Sequence, residues 1–97
     1  LGLSFNIMSY ALLTHMIAPC AGMVADELIF SGGDCHVYEN HIEPLKEQLT
    51  RDPHLYALPK LILNPTIKKI NDFKYEDIKI ENYESYPTIK MPLSVGL

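Results

Sequence analysis

The stretch Phe5–Ala18 sets the tightest limit on what this chain can fold into. From Ile7 to Ala18, nine of twelve residues are apolar. At a helical repeat they fall on every side rather than on one stripe. Such a helix is buried around most of its circumference. Ser4 is placed to N-cap it at Phe5. Pro19 cannot continue its hydrogen bonding, and Gly22 offers a C-terminal stop. The other residues offer only three or four strands and one thin helix, which is too little to cover it. The expectation is part of a larger core, or half of an obligate dimer. A first residue of Leu1 rather than Met fits a processed chain or a piece of a longer one.

Beyond the helix the pattern shortens. Glu27–Phe30 reads as a strand, Gly32-Gly33 as a hairpin turn or a bulge, with the hairpin favoured, and the run after it as a second strand. Asn40 and Glu43 have capping-box spacing before a helix whose apolar stripe is Ile42, Leu45 and Leu49. Asp52-Pro53 ends that helix. Leu58–Leu63 reads as a strand, with Pro59 confined to its start. A polar connection over Ile67–Phe73 follows. Glu76–Asn82 alternates, with Ile78 and Ile80 expected inward. Thr88–Val95 reads as a final extended segment.

Composition removes several functional classes. A net charge of −4 with a single arginine, Arg51, argues against a nucleic-acid or anionic-membrane surface. The apolar stretch is broken by Asn6, Ser9, Thr14 and His15, too polar and short to span a bilayer, and no basic segment precedes it as in a signal peptide. His15 reads as a core or rim histidine. Cys20 and Cys35 have no CxxC spacing and fit free thiols in a reducing compartment, so the cytoplasm is expected.

The stretch Ser31-Gly-Gly-Asp-Cys-His-Val-Tyr-Glu-Asn-His41 carries the chemistry. On an extended backbone His36 and Tyr38 share a face, because strand side chains repeat with period two. An imidazole beside a phenol suits the gripping of a hydroxyl. Cys35, His36 and His41 are poor metal ligands together, because adjacent residues of a strand face opposite sides. No metal site is expected.

Three segments together resemble the C-terminal part of thymidylate synthase. They are Leu1-Gly-Leu-Ser-Phe-Asn-Ile-Met-Ser-Tyr10, Gly33-Asp-Cys-His-Val-Tyr-Glu-Asn-His41 and Pro87-Thr-Ile-Lys-Met91. The family patterns are Leu-Gly-Leu-Pro-Phe-Asn-Ile and Gly-Asp-x-His-x-Tyr-x-Asn-His, and their order and spacing match. The resemblance implies that residues 1–97 are the C-terminal fragment, roughly the last third, of one thymidylate synthase domain. The expected fold is α+β: a mixed or antiparallel sheet of three to four strands packed on one long buried helix, plus a short amphipathic helix.

Such enzymes reductively methylate dUMP to dTMP, with 5,10-methylenetetrahydrofolate as co-substrate. The resemblance implies that Asn6 reads the uracil edge and that His36 and Tyr38 hold the deoxyribose 3′-hydroxyl. It places Leu1, Gly2 and Phe5 near the folate, and Ser94 in the segment that closes over it. It implies a homodimer. The nucleophilic cysteine and the phosphate-binding arginines belong upstream of Leu1, so no catalytic residue is expected in this chain and the chain alone is expected to be inactive. Ser4 replaces the family proline. Gly96-Leu97 extends past the usual end. Cys35 is expected to be a buried filler, and Cys20 lacks the histidine that follows the family nucleophile. Members acting on cytosine tend to carry aspartate where Asn6 stands, so Asn6 points to uracil. A second reading is a truncated, noncatalytic copy serving as an assembly or interaction module.

Overall fold

A computed structural model describes residues 2–93. Helix α1 spans Leu3–Cys20 and α2 spans Ile42–Leu49. Strands β1, Lys60–Leu63, and β2, Ile78–Glu81, form an antiparallel pair with Leu61 opposite Ile80 and Leu63 opposite Ile78. Short 3-10 turns cover Glu39–His41, Ile70–Asp72 and Tyr75–Asp77.

Helix α1 begins earlier than Ser4 would cap it. The Asn6 N–H already donates to the Gly2 carbonyl at 3.0 Å, so Gly2 takes the cap position and Ser4 falls inside the first turn. The C-terminus behaves as expected. Gly22 adopts φ +67°, the left-handed geometry glycine adopts without steric cost. The Met23 N–H reaches back to the Ala18 carbonyl at 2.8 Å and the Gly22 N–H to Pro19 at 3.3 Å, which satisfies carbonyls at the helix end. Pro19 sits in the last turn and does not stop the helix before Cys20.

The helix is not buried. Among the described residues Ala18 is the only buried apolar side chain, while Phe5 is 69% exposed. The accessible surface is 8628 Å², against about 5,600 Å² for a compact protein of this mass. The radius of gyration is 16.7 Å, where a compact domain of this length has about 13 Å. The sheet has two strands among the described residues, not three or four. The segments 27–30 and 35–38 form no strand there. Neither Gly32 nor Gly33 has the positive φ that a two-residue hairpin turn needs, so the chain only bends at Gly33-Asp34. The segment from Thr88 to Leu93 has no regular structure, and residues 94–95 of that expectation lie outside the described residues.

Other boundaries shift for local reasons. Leu58 and Pro59 stay outside β1, and proline has no N–H for a ladder. Glu76 and Asp77 belong to a 3-10 turn rather than to β2, because the Asp77 carboxylate closes that turn. Asn82, at φ 57°, ends the strand. Ile78 is half-buried, but Ile80 is 51% exposed, contrary to the alternation. The capping box at Asn40 and Glu43 does not form. A 3-10 turn occupies Glu39–His41, with the His41 N–H on the Tyr38 carbonyl at 2.9 Å, and Glu43 pairs with Lys46 at 2.7 Å. Of the α2 stripe only Leu45 is half-buried; Ile42 and Leu49 are exposed.

Asp77 fastens the link between β1 and β2. Asn64 Nδ2 donates to its Oδ1 at 2.7 Å and the Lys74 N–H to its Oδ2 at 2.9 Å. The Asn64 bond first, then the Lys74 backbone bond, hold the Asp77 carboxyl below its ordinary value; partial desolvation opposes them and the Lys74 charge assists. The folded state therefore prefers the ionised form. Its stabilising contribution is complete above the ordinary carboxylate pKa and is lost as pH falls through the lowered folded value. Asn64→Ala is expected to move the Asp77 midpoint upward in an NMR carboxyl titration. An unmoved midpoint contradicts the assignment of the shift to Asn64.

Candidate functional site

Residues 36–38 belong to no sheet, and the Tyr38 backbone is extended at φ −69°, ψ 142°. The His36 and Tyr38 rings meet edge-on, with centroids 5.3 Å apart and planes at 74°. Tyr38 meets His41 in the same way at 5.7 Å and 79°. Three rings thus form one continuous row, an arrangement aromatic quadrupoles favour over a face-to-face stack. Asp34 Oδ1 lies 3.3 Å from His36 Nδ1. When that carboxylate accepts the Nδ1 proton of a neutral ring, Nε2 keeps a lone pair. Tyr38 contributes a hydroxyl that can donate or accept. The pair can therefore both accept a hydroxyl proton and donate to its oxygen.

His41 ends the row and differs in kind. It is 3% exposed, the one buried polar residue among those described. Its Nε2 lies 2.7 Å from the Pro92 carbonyl. A carbonyl only accepts, so Nε2 carries the proton. A second tether lies at the far end of α2. Arg51 Nη2 donates to the Pro87 carbonyl at 2.8 Å, and the guanidinium stands 5.1 Å over the Tyr86 ring. The Asp52 N–H donates to the Tyr86 hydroxyl at 3.1 Å, and Tyr56 meets Tyr86 edge-on at 5.4 Å. His41 stands just before α2 and Arg51 just after it, and their partners Pro92 and Pro87 lie in the reverse order along the chain. The strap from Pro87 to Pro92 therefore runs antiparallel along α2. Neither tether was legible in the sequence, since the partners are 51 and 36 residues apart.

Two open grooves flank α1. One, of about 730 Å³, runs between α1 and the 28–31 segment, and Asn6 and Tyr10 line it with Phe30. The other, of about 500 Å³, is bounded by Phe5, His36, Val37 and the strap at Ile89 and Met91. Leu3 borders both. Phe5 and His36 thus share a groove, whereas Asn6 opens onto the neighbouring one. Gly2 is exposed beside Asn6; a Cβ added there would lie 4.0 Å from Asn6 Nδ2. Leu1 and Ser94 lie outside the described residues.

Cys35 is exposed, not a buried filler. A Cβ at Gly32 would collide with its Sγ and lie 3.2 Å from the Phe30 ring. Cys20 is half-buried at the end of α1, and His15 is exposed. Among the described residues no group of three or more His, Cys, Asp or Glu is placed to hold a metal ion. No helix there is long and apolar enough to cross a membrane.

The sequence profile of the thymidylate synthase family matches residues 1–95. A thymidylate synthase of Francisella tularensis subsp. holarctica is 53% identical over 95 residues, 98% of this chain and 34% of that protein. The chain spans about a third of the length of that relative. A match over nearly every residue, through the α1 segment and the His36–Tyr38–His41 row alike, assigns it: the chain belongs to the thymidylate synthase family.

Proposed function

We propose that this chain forms the nucleoside-reading wall of an enzyme that reductively methylates dUMP to dTMP, with 5,10-methylenetetrahydrofolate as co-substrate. The observation that carries the reading is the edge-on pairing of His36 and Tyr38 at 5.3 Å within the family's hydroxyl-gripping motif. In this reading Tyr38 and His36 hold the 3′-hydroxyl of the deoxyribose through one donated and one accepted hydrogen bond. The Asn6 carboxamide donates to uracil O4 and accepts from N3–H. Leu1, Gly2, Phe5 and Ser94 serve the folate. An exposed Phe5 ring bordering a groove with Val37, Ile89 and Met91 fits the flat face of a fused heteroaromatic ring. Bound there, the folate supplies the one-carbon unit and the hydride.

Cys20 and Cys35 take no part. The nucleophile that attacks the pyrimidine, and the guanidiniums that hold its 5′-phosphate, come from residues that complete the site. Arg51, bonded to Pro87 and packed on Tyr86, is occupied in fastening the strap. The complete enzyme is a homodimer that works in the cytoplasm. The exposed apolar surface of this chain and its two unpaired thiols support both statements.

The test is a chimaera in which residues 1–95 replace the matching third of the Francisella tularensis protein. It is expected to make dTMP from dUMP and methylenetetrahydrofolate, whereas the 97-residue chain alone makes none. In the chimaera, Tyr38→Phe together with His36→Ala should lower kcat/KM for dUMP by about a hundredfold, as two hydrogen bonds to the substrate are lost. A folded chimaera with no turnover would count against the enzymatic reading and for the noncatalytic module.

A further inference from the structure

We infer that Asn64 and Asp77 are positioning residues: together they set the turn Ile70–Asp72 against α1, the helix that carries Asn6. The inference goes beyond the proposed function in giving a task to two residues outside the nucleotide and folate sites. One of its two readouts rests on the reading of Asn6 as the base reader.

Asn64 and Asp77 are the next pair in the β1–β2 register after Leu63 and Ile78. The Asn64 N–H donates to the Asp77 carbonyl at 2.9 Å, which carries the ladder one step further. Residues 65–76 leave and re-enter the ribbon at that step. The ladder fixes where the two arms of this excursion begin, and the side chains fix the direction they take. Asn64 Oδ1 accepts from the Thr66 N–H at 3.1 Å and from Thr66 Oγ1 at 2.8 Å, which holds the outgoing arm. Asp77 Oδ2 accepts from the Lys74 N–H at 2.9 Å, which holds the returning arm. Asn64 Nδ2 donates to Asp77 Oδ1 at 2.7 Å and joins the two. All four terminal atoms of the pair are thus engaged, and both side chains are half-buried. The excursion carries the Ile70–Asp72 turn, closed by the Asp72 N–H on the Lys69 carbonyl at 3.0 Å. Among the described helices, turns and strands, that turn makes the most extensive packing on α1. Hydrogen bonds and packing therefore run without a break from the clasp to the helix, the kind of physical connection through which a local change is transmitted.

The pattern of donors and acceptors dictates the test. Asp77→Asn presents one donor and one acceptor to two donors, Asn64 Nδ2 and the Lys74 N–H, so one of them goes unpaired. Adding Asn64→Asp restores every bond: the new carboxylate accepts from Thr66 and from the new carboxamide, whose oxygen accepts from Lys74. Hydrogen exchange in the chimaera reads the helix directly. Asp77→Asn is expected to speed exchange of the 66–76 amides and of α1 amides about tenfold, the scale of one lost bond to a charged group. The double variant Asn64→Asp/Asp77→Asn is expected to return both segments to the wild-type rate. Thr66→Val, at an exposed position, removes only the hydroxyl bond. It should give a smaller rise in the same two segments, and it serves as the test when Asp77→Asn does not fold. The preference in kcat/KM for dUMP over dCMP should fall about fivefold in Asp77→Asn, because a displaced Asn6 loses its alignment on the base. It should recover in the double variant, whereas a merely structural clasp would lower both nucleotides equally. Exchange that quickens in 66–76 while α1 is unmoved overturns the inference, and so does a folded double variant that fails to restore α1. Quickened and rescued α1 exchange with an unchanged nucleotide preference upholds the positioning of the helix and counts against the base-reading role of Asn6.

Discussion

The isolated chain is expected to associate, with a weight-average mass at or above twice its 11.0 kDa at micromolar concentration, and to bind a hydrophobic dye strongly. The cause is α1. Leu3, Phe5, Met8 and Tyr10 are each more than half exposed along one helix, and burying a large apolar side chain is worth about 1.5–3 kcal/mol. Several such residues outweigh the entropy of association once a second surface is supplied. A loosely packed state is the other outlet for the same surface. Sedimentation velocity over a hundredfold range of concentration checks this. A monomer at every concentration, with sharp and dispersed amide resonances, contradicts it. Adding the upstream two thirds of a relative as a separate polypeptide should suppress the association, because α1 then has a core to enter.

The second large effect is in base choice. Asn6→Asp, made in the chimaera, is expected to lower kcat/KM for dUMP tenfold or more while dCMP gains relative to it. Uracil offers an acceptor at O4 and a donor at N3; cytosine offers a donor at its 4-amino group and an acceptor at N3. The carboxamide matches the first arrangement when its orientation is fixed. An ionised aspartate faces O4 with repulsion, and a protonated one can donate to cytosine N3 while accepting from the amino group. A mispaired buried polar group costs about 1–3 kcal/mol, which sets the tenfold scale. The surroundings suit such a reader: Asn6 sits one turn into α1, its N–H fixed on Gly2, at the rim of a groove floored by apolar side chains. The ratio of kcat/KM for the two nucleotides is the measurement. An unchanged ratio removes Asn6 from base recognition.

These expectations divide by the range of the interactions behind them. What depends on near neighbours could be read from the residues alone. Gly22 terminates α1 because only local backbone geometry is involved. The His36 and Tyr38 rings meet, as residues two apart are expected to, with no sheet to hold them. The apolar circumference of α1 already announced a helix that this chain could not cover, and the exposed Phe5 and Met8 are the result. Local reasoning failed where competing hydrogen bonds decide. Gly2 displaced Ser4 as the cap, Asp77 pulled the start of β2 into a turn, and the Asn40–Glu43 box gave way to a 3-10 turn at His41. It failed also for 27–30, whose strand pattern needs a partner that the described residues do not supply.

The course of the C-terminal strap follows from packing between distant segments. Nothing near Arg51 in sequence predicts a bond to Pro87, and nothing near His41 predicts one to Pro92. Both bonds arise because the strap lies antiparallel to α2, which brings together groups 36 and 51 residues apart. Periodicity carries no information about contacts at that separation. It identifies which side chains can meet along one element, and the packing of one element on another selects the partners.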